Sequence, residues 1–225
     1  MKKVIVAASS LPAGRNMSSQ IEYIQRVSNF GADFYHLDVM DGNFVKAKTI
    51  DYTYFTQLQG CSTLLLDAHL MVSNPQKVLS KYLKTGISIL TVHYEVYPSI
   101  DQLLKTIKKI KKAGKMAGIS IDKDTQVSVL DPVLPFVDLV LIMSVKAGKG
   151  GQKFDEKAIE KIKYIRGKNK KVLIEVDGGI NDQTGALCIK AGADILVVGN
   201  YIYNGDAYES ILALHNCALT KKVSK

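Results

Sequence analysis

The chain has 225 residues, of which 47% are hydrophobic, and a formal net charge of +9. That length supports one large α/β domain with a sizeable core, expected to span residues 1–225 and to end in a short basic tail from about 220. No window approaches the roughly 20 apolar residues of a membrane span, and the lack of Gly/Ser-rich, Pro-rich or acidic runs argues against a linker between two smaller domains.

The opening MKKVIVAASSLPAG has the look of a secretory leader, but Val4 to Ala8 falls short of the roughly 7–15 apolar residues of a leader core and reads as a first strand. From there, short apolar runs rich in Val, Ile and Leu alternate with segments of helical period. Strands are predicted at 3–8, 33–38, 63–69, 88–93, 116–120, 137–143, 171–176 and 194–198. Helices are predicted near 18–30, 50–58, 75–84, 99–113, 124–131, 155–167, 182–191 and 206–219. Gly-Ala-Asp at 31–33 and again at 192–194 reads as a helix stop before a strand, and Pro75 as a helix start. In the densest basic run, 101–115, Leu103, Leu104, Ile107, Ile110 and Ala113 recur at helical spacing, so its lysines form a solvated face. No aromatic residues interleave them as a nucleic-acid platform requires.

Strands that are apolar on both faces belong to a parallel sheet covered by helices. Eight strand–helix units predict a single-domain (β/α)8 TIM barrel. The competing doubly wound open sheet would carry a glycine fingerprint after its first strand, and AASSLPAG has none. Cys61, Cys188 and Cys217 are odd in number, far apart and without metal-type spacing, which predicts reduced thiols in a cytoplasmic protein; without an apolar span or a stacking platform, neither membrane nor nucleic acid is expected as a partner.

The unusual residues collect at the C-terminal ends of the strands, the face on which barrel active sites sit. His36 and Asp38 are two apart and share a strand face. With His69 and Asp177 they make two imidazoles and two carboxylates at one mouth, a mixed N/O set suited to Zn²⁺, Fe²⁺ or Mn²⁺. Singly, each reads as an ordinary strand-end hydrogen-bonding group; together they read as a metal cage that relieves the repulsion of two carboxylates. Gly148, Gly150, Gly151, Gly178, Gly179, Gly199 and Asn200, at the ends of the sixth to eighth strands, form a candidate phosphate cradle of backbone N–H groups. Asp67, His93 and Glu95 lie near the same mouth, His93 reading best as a strand-end hydrogen-bonding residue.

HLDVMDGNFV, DAHLMV, VHYE, MSV, GGQKF and VDGGI, in that order and spacing, resemble the ribulose-phosphate 3-epimerases over nearly the whole chain. The resemblance implies an isomerase of carbohydrate metabolism and the pentose phosphate pathway: a metal-dependent barrel, generally a homo-oligomer, that inverts C3 of a small phosphorylated ketose. It implies His36, Asp38, His69 and Asp177 as ligands of a divalent ion, Zn²⁺ first with Fe²⁺, Mn²⁺ or Co²⁺ as alternatives, and Asp38 and Asp177 as the acid–base pair. The ion would stabilise a cis-enediolate, with Met40, Met71 and Met143 as an apolar cap that could equally be plain core. Ser9 matches a substrate-binding serine only in part, because the usual Pro-Ser-Ile-Leu is Ala8-Ser9-Ser10-Leu11 here.

Lys46-Ala47 replaces a Pro-Asn, and Ala147-Gly148-Lys149-Gly150-Gly151 after Lys146 replaces a Pro-Gly-Phe-Gly-Gly preceded by an acid. These departures leave the chemistry in place and open the choice of ketose, D-ribulose 5-phosphate or a longer relative such as D-allulose 6-phosphate. The altered lid also admits a non-catalytic sugar-phosphate-binding barrel. A decarboxylase of related barrels would need Asp-x-Lys-x-x-Asp, and Asp38-Val39-Met40-Asp41 has no lysine.

Overall fold

The computed structural model describes residues 3–49 and 51–218. Eight parallel strands close on themselves in chain order: β1 (Ile5–Ser9), β2 (Phe34–Met40), β3 (Leu65–Met71), β4 (Ile87–His93), β5 (Met116–Ile121), β6 (Leu139–Met143), β7 (Leu173–Asp177) and β8 (Ile195–Val198). The helices are α1 (Met17–Asn29), α2 (Tyr52–Leu58), α3 (Pro75–Tyr82), α4 (Ile100–Lys112), α5 (Lys157–Lys168), α6 (Asp182–Ala191), α7 (Asn200–Asn204) and α8 (Ala207–His215). This is the expected (β/α)8 barrel. The expected basic tail lies outside the described residues.

Local chemistry fixes the helix starts. Asn16, Asp51, Asn74, Ser99, Asn181 and Asp206 each accept a backbone N–H of the first turn of their helix. The two Gly-Ala-Asp stops behave alike: Asp33 accepts the Val6 N–H at 2.9 Å and Asp194 accepts the Ile174 N–H at 2.8 Å, so each turn is tied to a neighbouring strand. In α4, Leu103, Ile107 and Ile110 are buried, while Lys105, Lys108, Lys109, Lys111 and Lys112 face solvent.

The helix predicted at 124–131 does not form; Val127–Leu130 makes one 3-10 turn. Pro132 and Pro135 keep it from extending as a regular helix, because each lacks the N–H that would close a helical bond; Asp131, before Pro132, still has helical dihedrals, and isolated turns continue to Leu134. The last predicted helix, 206–219, is found as α8 passing into a 3-10 turn at Asn216–Ala218, and α7, between β8 and α8, is an element the sequence reading lacks. Residues 50 and 219, at the predicted edges of two helices, lie outside the described residues.

Alternation along the strands sorts the side chains. Leu37, Val39, Leu70, Val92, Ile142, Val176 and Val198 pack outward against the helices. Inside, Ala7, Phe34, Ile89, Leu139, Leu141, Met143, Ile195 and Val197 form an apolar cluster. The remaining inward positions of β2, β3, β4, β5 and β7 carry His36, Asp38, Asp67, His69, Thr91, His93, Ser120, Glu175 and Asp177. The lumen is thus divided into an apolar wall and a polar one. One irregularity sets this phase: Leu66 pairs with Ile87 but Asp67 pairs with Ile89, leaving Ser88 as an extra residue. Ile87 accordingly packs outward, Ile89 inward, and Thr91 and His93 follow Ile89.

Candidate active site and metal centre

Parallel register brings the polar strand ends together. His36 stands beside Asp67, Asp38 beside His69, Met40 beside Met71, and Met143 beside Asp177. His36, Asp38, His69 and Asp177 each present one ligating atom within 4.8 Å of the others. His69 Nδ1 lies 3.1 Å and His36 Nε2 lies 3.4 Å from the same Asp38 Oδ1, and Ser9 Oγ lies 3.4 Å from Asp38 Oδ2. The other nitrogen of each ring is engaged elsewhere. His36 Nδ1 is 2.6 Å from Asp67 Oδ2, and His69 Nε2 is 2.8 Å from His93 Nε2.

The donor set fits a divalent ion. His36 Nε2 is fully buried and has no hydrogen-bond partner among the described residues, so it offers a lone pair at the place where the two carboxylates converge. Electrostatics in the cation-free protein agree. Burial works to raise the Asp38 pKa, but the neighbouring His36, first among the opposing groups, overcomes it and holds the carboxylate ionised. Asp177 is pushed up to about 7 by burial and by the Asp38 charge. Burial opposes protonation of His36, yet Asp67 and Asp38 together raise its pKa well above that of a free imidazole, whereas burial lowers His69 to about 4. A proton therefore takes up, in part, the place that the lone pairs offer to a cation.

Above this floor lies a cavity of about 750 Å³, a size suited to a small metabolite. Asp38 and Asp177 reach it, while His36 and His69 lie beneath, fully buried. Ser9, Met40, Met71, Met143, Gly148, Gly150, Gly151, Gly178, Gly179, Gly199 and Asn200 all line the same cavity, whereas Asp67, His93 and Glu95 do not. The loop after β2 is anchored by Asp41, whose carboxylate accepts from Ser73 N–H and Oγ–H at 2.8 Å and from the N–H groups of Asn43 and Phe44. It reaches the loop after β6, where a Cβ on Gly148 would lie 2.6 Å from Val45 Cβ. Lys146 and Lys149 both line the cavity, Lys146 also pairing with Asp122 at 3.6 Å and with Asp124 at 3.9 Å, and Lys46 is exposed.

Gly179 has φ +62°, and a Cβ there would collide with the backbone of Phe154 and Gln152. Gly179→Ala should therefore displace the loop after β7, raising the KM for a phosphorylated ketose at least about tenfold by disturbing backbone donors, each contributing about 1.5–3 kcal/mol to a charged group. Steady-state kinetics checks this. An unchanged KM would remove that loop from the phosphate cradle.

Sequence reasoning passed over Glu175. It is fully buried, 3.7 Å from His36, with neither carboxyl oxygen hydrogen-bonded among the described residues, and burial and the Asp67 charge raise its pKa well above the usual range. Its signal was its place two residues before Asp177 on the same strand face. Leu11, Pro12 and Phe154 of the cavity wall gave no signal, being ordinary apolar residues. Cys61, Cys188 and Cys217 are not joined by disulfides among the described residues, and no helix among those residues is long and apolar enough to cross a membrane.

Comparison with known proteins follows the same lines. Residues 5–203 match the family described as the ribulose-phosphate 3 epimerase family. The chain is 42% identical over 185 residues to the ribulose-phosphate 3-epimerase of Bacillus subtilis, covering 80% of this chain and 84% of that one. It is 36% identical over 216 residues to that of a Synechocystis species, covering 94% and 93%. Among solved structures, a 3-hexulose-6-phosphate synthase superposes with a TM-score of 0.68 at 17% identity, covering 96% of this chain and 99% of that one. At that identity the likeness is one of fold alone.

Proposed function

This chain belongs to the ribulose-phosphate 3-epimerase family and is accordingly a carbohydrate isomerase; on that premise we propose that it interconverts D-ribulose 5-phosphate and D-xylulose 5-phosphate through a cis-enediolate. The observation that carries this reading is the pair of carboxylates, Asp38 and Asp177, reaching one cavity from β2 and β7, with two buried imidazoles behind them. Inversion requires a proton to leave C3 on one face and another to arrive on the opposite face. Carboxylates on strands three places apart around the barrel can approach a bound sugar from different sides. A divalent cation held by His36, Asp38, His69 and Asp177, Zn²⁺ by preference, would supply Lewis-acid stabilisation of the charge developing at the C2 and C3 oxygens.

The remaining residues bind and shield. Met40, Met71 and Met143, all nearly fully buried and all on the cavity wall, would keep water from the reacting carbons. Ser9, beside Asp38, would orient the sugar hydroxyls. Backbone N–H groups of Gly178, Gly179, Gly199 and Asn200, with the loop carrying Gly148, Gly150 and Gly151, would hold the phosphate at the far end. As in the family it resembles, the protein would act in the cytoplasm as a homo-oligomer, which light scattering tests.

Lys149 on the cavity wall, where the family has an aromatic residue, favours a second reading in which a longer ketose such as D-allulose 6-phosphate is the better substrate. NMR in deuterated water, offering both ketose phosphates to zinc-loaded protein, decides. We expect epimer formation with deuterium at C3, fastest for the pentose. Turnover of neither would end the proposal, and tight binding without exchange would favour a sugar-phosphate-binding barrel.

A further inference from the structure

A hydrogen-bonded chain leads away from the floor of the site toward the surface. His69 Nε2 faces His93 Nε2 at 2.8 Å, and His93 Nδ1 faces Glu95 Oε2 at 3.0 Å. Glu95 in turn accepts the Asp122 N–H at 2.7 Å and the Thr125 hydroxyl on its other oxygen. Both imidazoles are fully buried, and the Phe44 ring packs on His93 with centroids 4.7 Å apart. We propose that His93 and Glu95 are positioning residues that fix the tautomer and orientation of His69, so that its Nδ1 presents a lone pair to the cation. The inference rests on the metal-site reading above.

Proton counting carries it. Two imidazole nitrogens 2.8 Å apart share one hydrogen, so one donates and the other accepts. An ionised carboxylate can only accept, and Glu95 is placed to accept on both oxygens, Oε1 from the Asp122 N–H and the Thr125 hydroxyl and Oε2 facing His93 Nδ1. His93 Nδ1 therefore carries the hydrogen. In a neutral ring its Nε2 is then bare, which obliges His69 Nε2 to be the donor and leaves His69 Nδ1 without a hydrogen. His36 reaches the same state by a shorter route once a cation displaces its proton: its Nδ1–H is engaged by Asp67, and Nε2, without a hydrogen-bond partner among the described residues, is left to ligate. Both ring lone pairs thus converge on Asp38 Oδ1, an arrangement that a cation resolves.

Two variants of His93 separate positioning from packing. His93→Gln keeps an acceptor that can reach the His69 Nε2–H but loses the ring, whereas His93→Phe keeps an aromatic ring against Phe44 and loses the acceptor. Zinc dissociation constants are to be measured by chelator competition on variants shown to be folded by circular dichroism. We expect His93→Phe to weaken zinc about 10–100-fold, the usual cost of losing a partner behind a ligand, with His93→Gln staying within a few-fold of the parent. The reverse order, or no loss in His93→Phe, would overturn the inference. Nitrogen-15 shifts of the parent at pH 8 give an independent check, since His69 must appear as the Nε2–H form, and an Nδ1–H form would also overturn it. Failure of the unmodified protein to bind zinc would instead sink the metal site itself, leaving the tautomer to be judged by the nitrogen shifts.

Discussion

Asp38→Asn and Asp177→Asn are each expected to abolish deuterium incorporation at C3, with kcat falling by at least the ~10²–10⁴-fold that a positioned acid or base supplies. Asparagine keeps the shape of the carboxyl group and removes the site that takes up or releases the proton. Because C3 must be attacked on one face and reprotonated on the other, neither carboxylate can cover for its partner, and the two losses should be similar in both directions. Each change also removes one of two neighbouring carboxylates. Asp177→Asn, which eliminates a group that burial and Asp38 push up to about 7, should melt no lower than the parent in cation-free protein at pH 8 while losing turnover. Near-normal exchange in either variant would remove that residue from the acid–base pair.

Stripping the divalent ion with a chelator should reduce turnover to background, and re-addition of Zn²⁺ should restore it, because Lewis-acid stabilisation contributes several kcal/mol to such a transition state. The cation-free protein also has a pH signature. Asp177 has a folded pKa of about 7 against about 3.9 in an unfolded chain, and His36 is likewise raised. Between about pH 4 and 7 the native state binds more protons than the unfolded one, so stability present at the acid end is lost as pH rises. Asp38, depressed, acts in the opposite sense and only at the acid extreme: its contribution is present above the usual carboxylate range and is lost as pH falls below it. Thermal unfolding at pH 5, 6, 7 and 8 should therefore show cation-free protein weakening with pH and the gap to zinc-loaded protein widening. A flat profile without the ion would mean that these groups do not share a site as described.

Much of this molecule was legible in its sequence for a simple reason. Buried parallel strands carry few polar residues, so HLD, DAH and EVDG stood out at strand ends, and the barrel topology alone brings such ends to one face. Where local signals compete, legibility fell. The 124–131 segment has apolar residues in plausible places, but Pro132 and Pro135 restrict it to a single 3-10 turn, Val127–Leu130. The short helix α7 follows Gly199 too closely to generate a period of its own. His93 was read as a strand-end hydrogen-bonding residue, and it does bond at a strand end. What spacing could not reveal is its partner: that His69 and His93 meet depends on the pairing of β3 with β4.

That pairing turns on one residue. Ser88 has no opposite number on β3, and taking it up as a bulge lets Ile89, Thr91 and His93 keep facing the axis; were Ser88 paired as an ordinary strand residue instead, Leu90 and Val92 would turn inward and His93 toward the helices. The histidine relay thus depends on how the backbone absorbs an extra residue as much as on residue identity. A relative could retain VHYE letter for letter and still forfeit its effect by pairing the whole strand without that bulge.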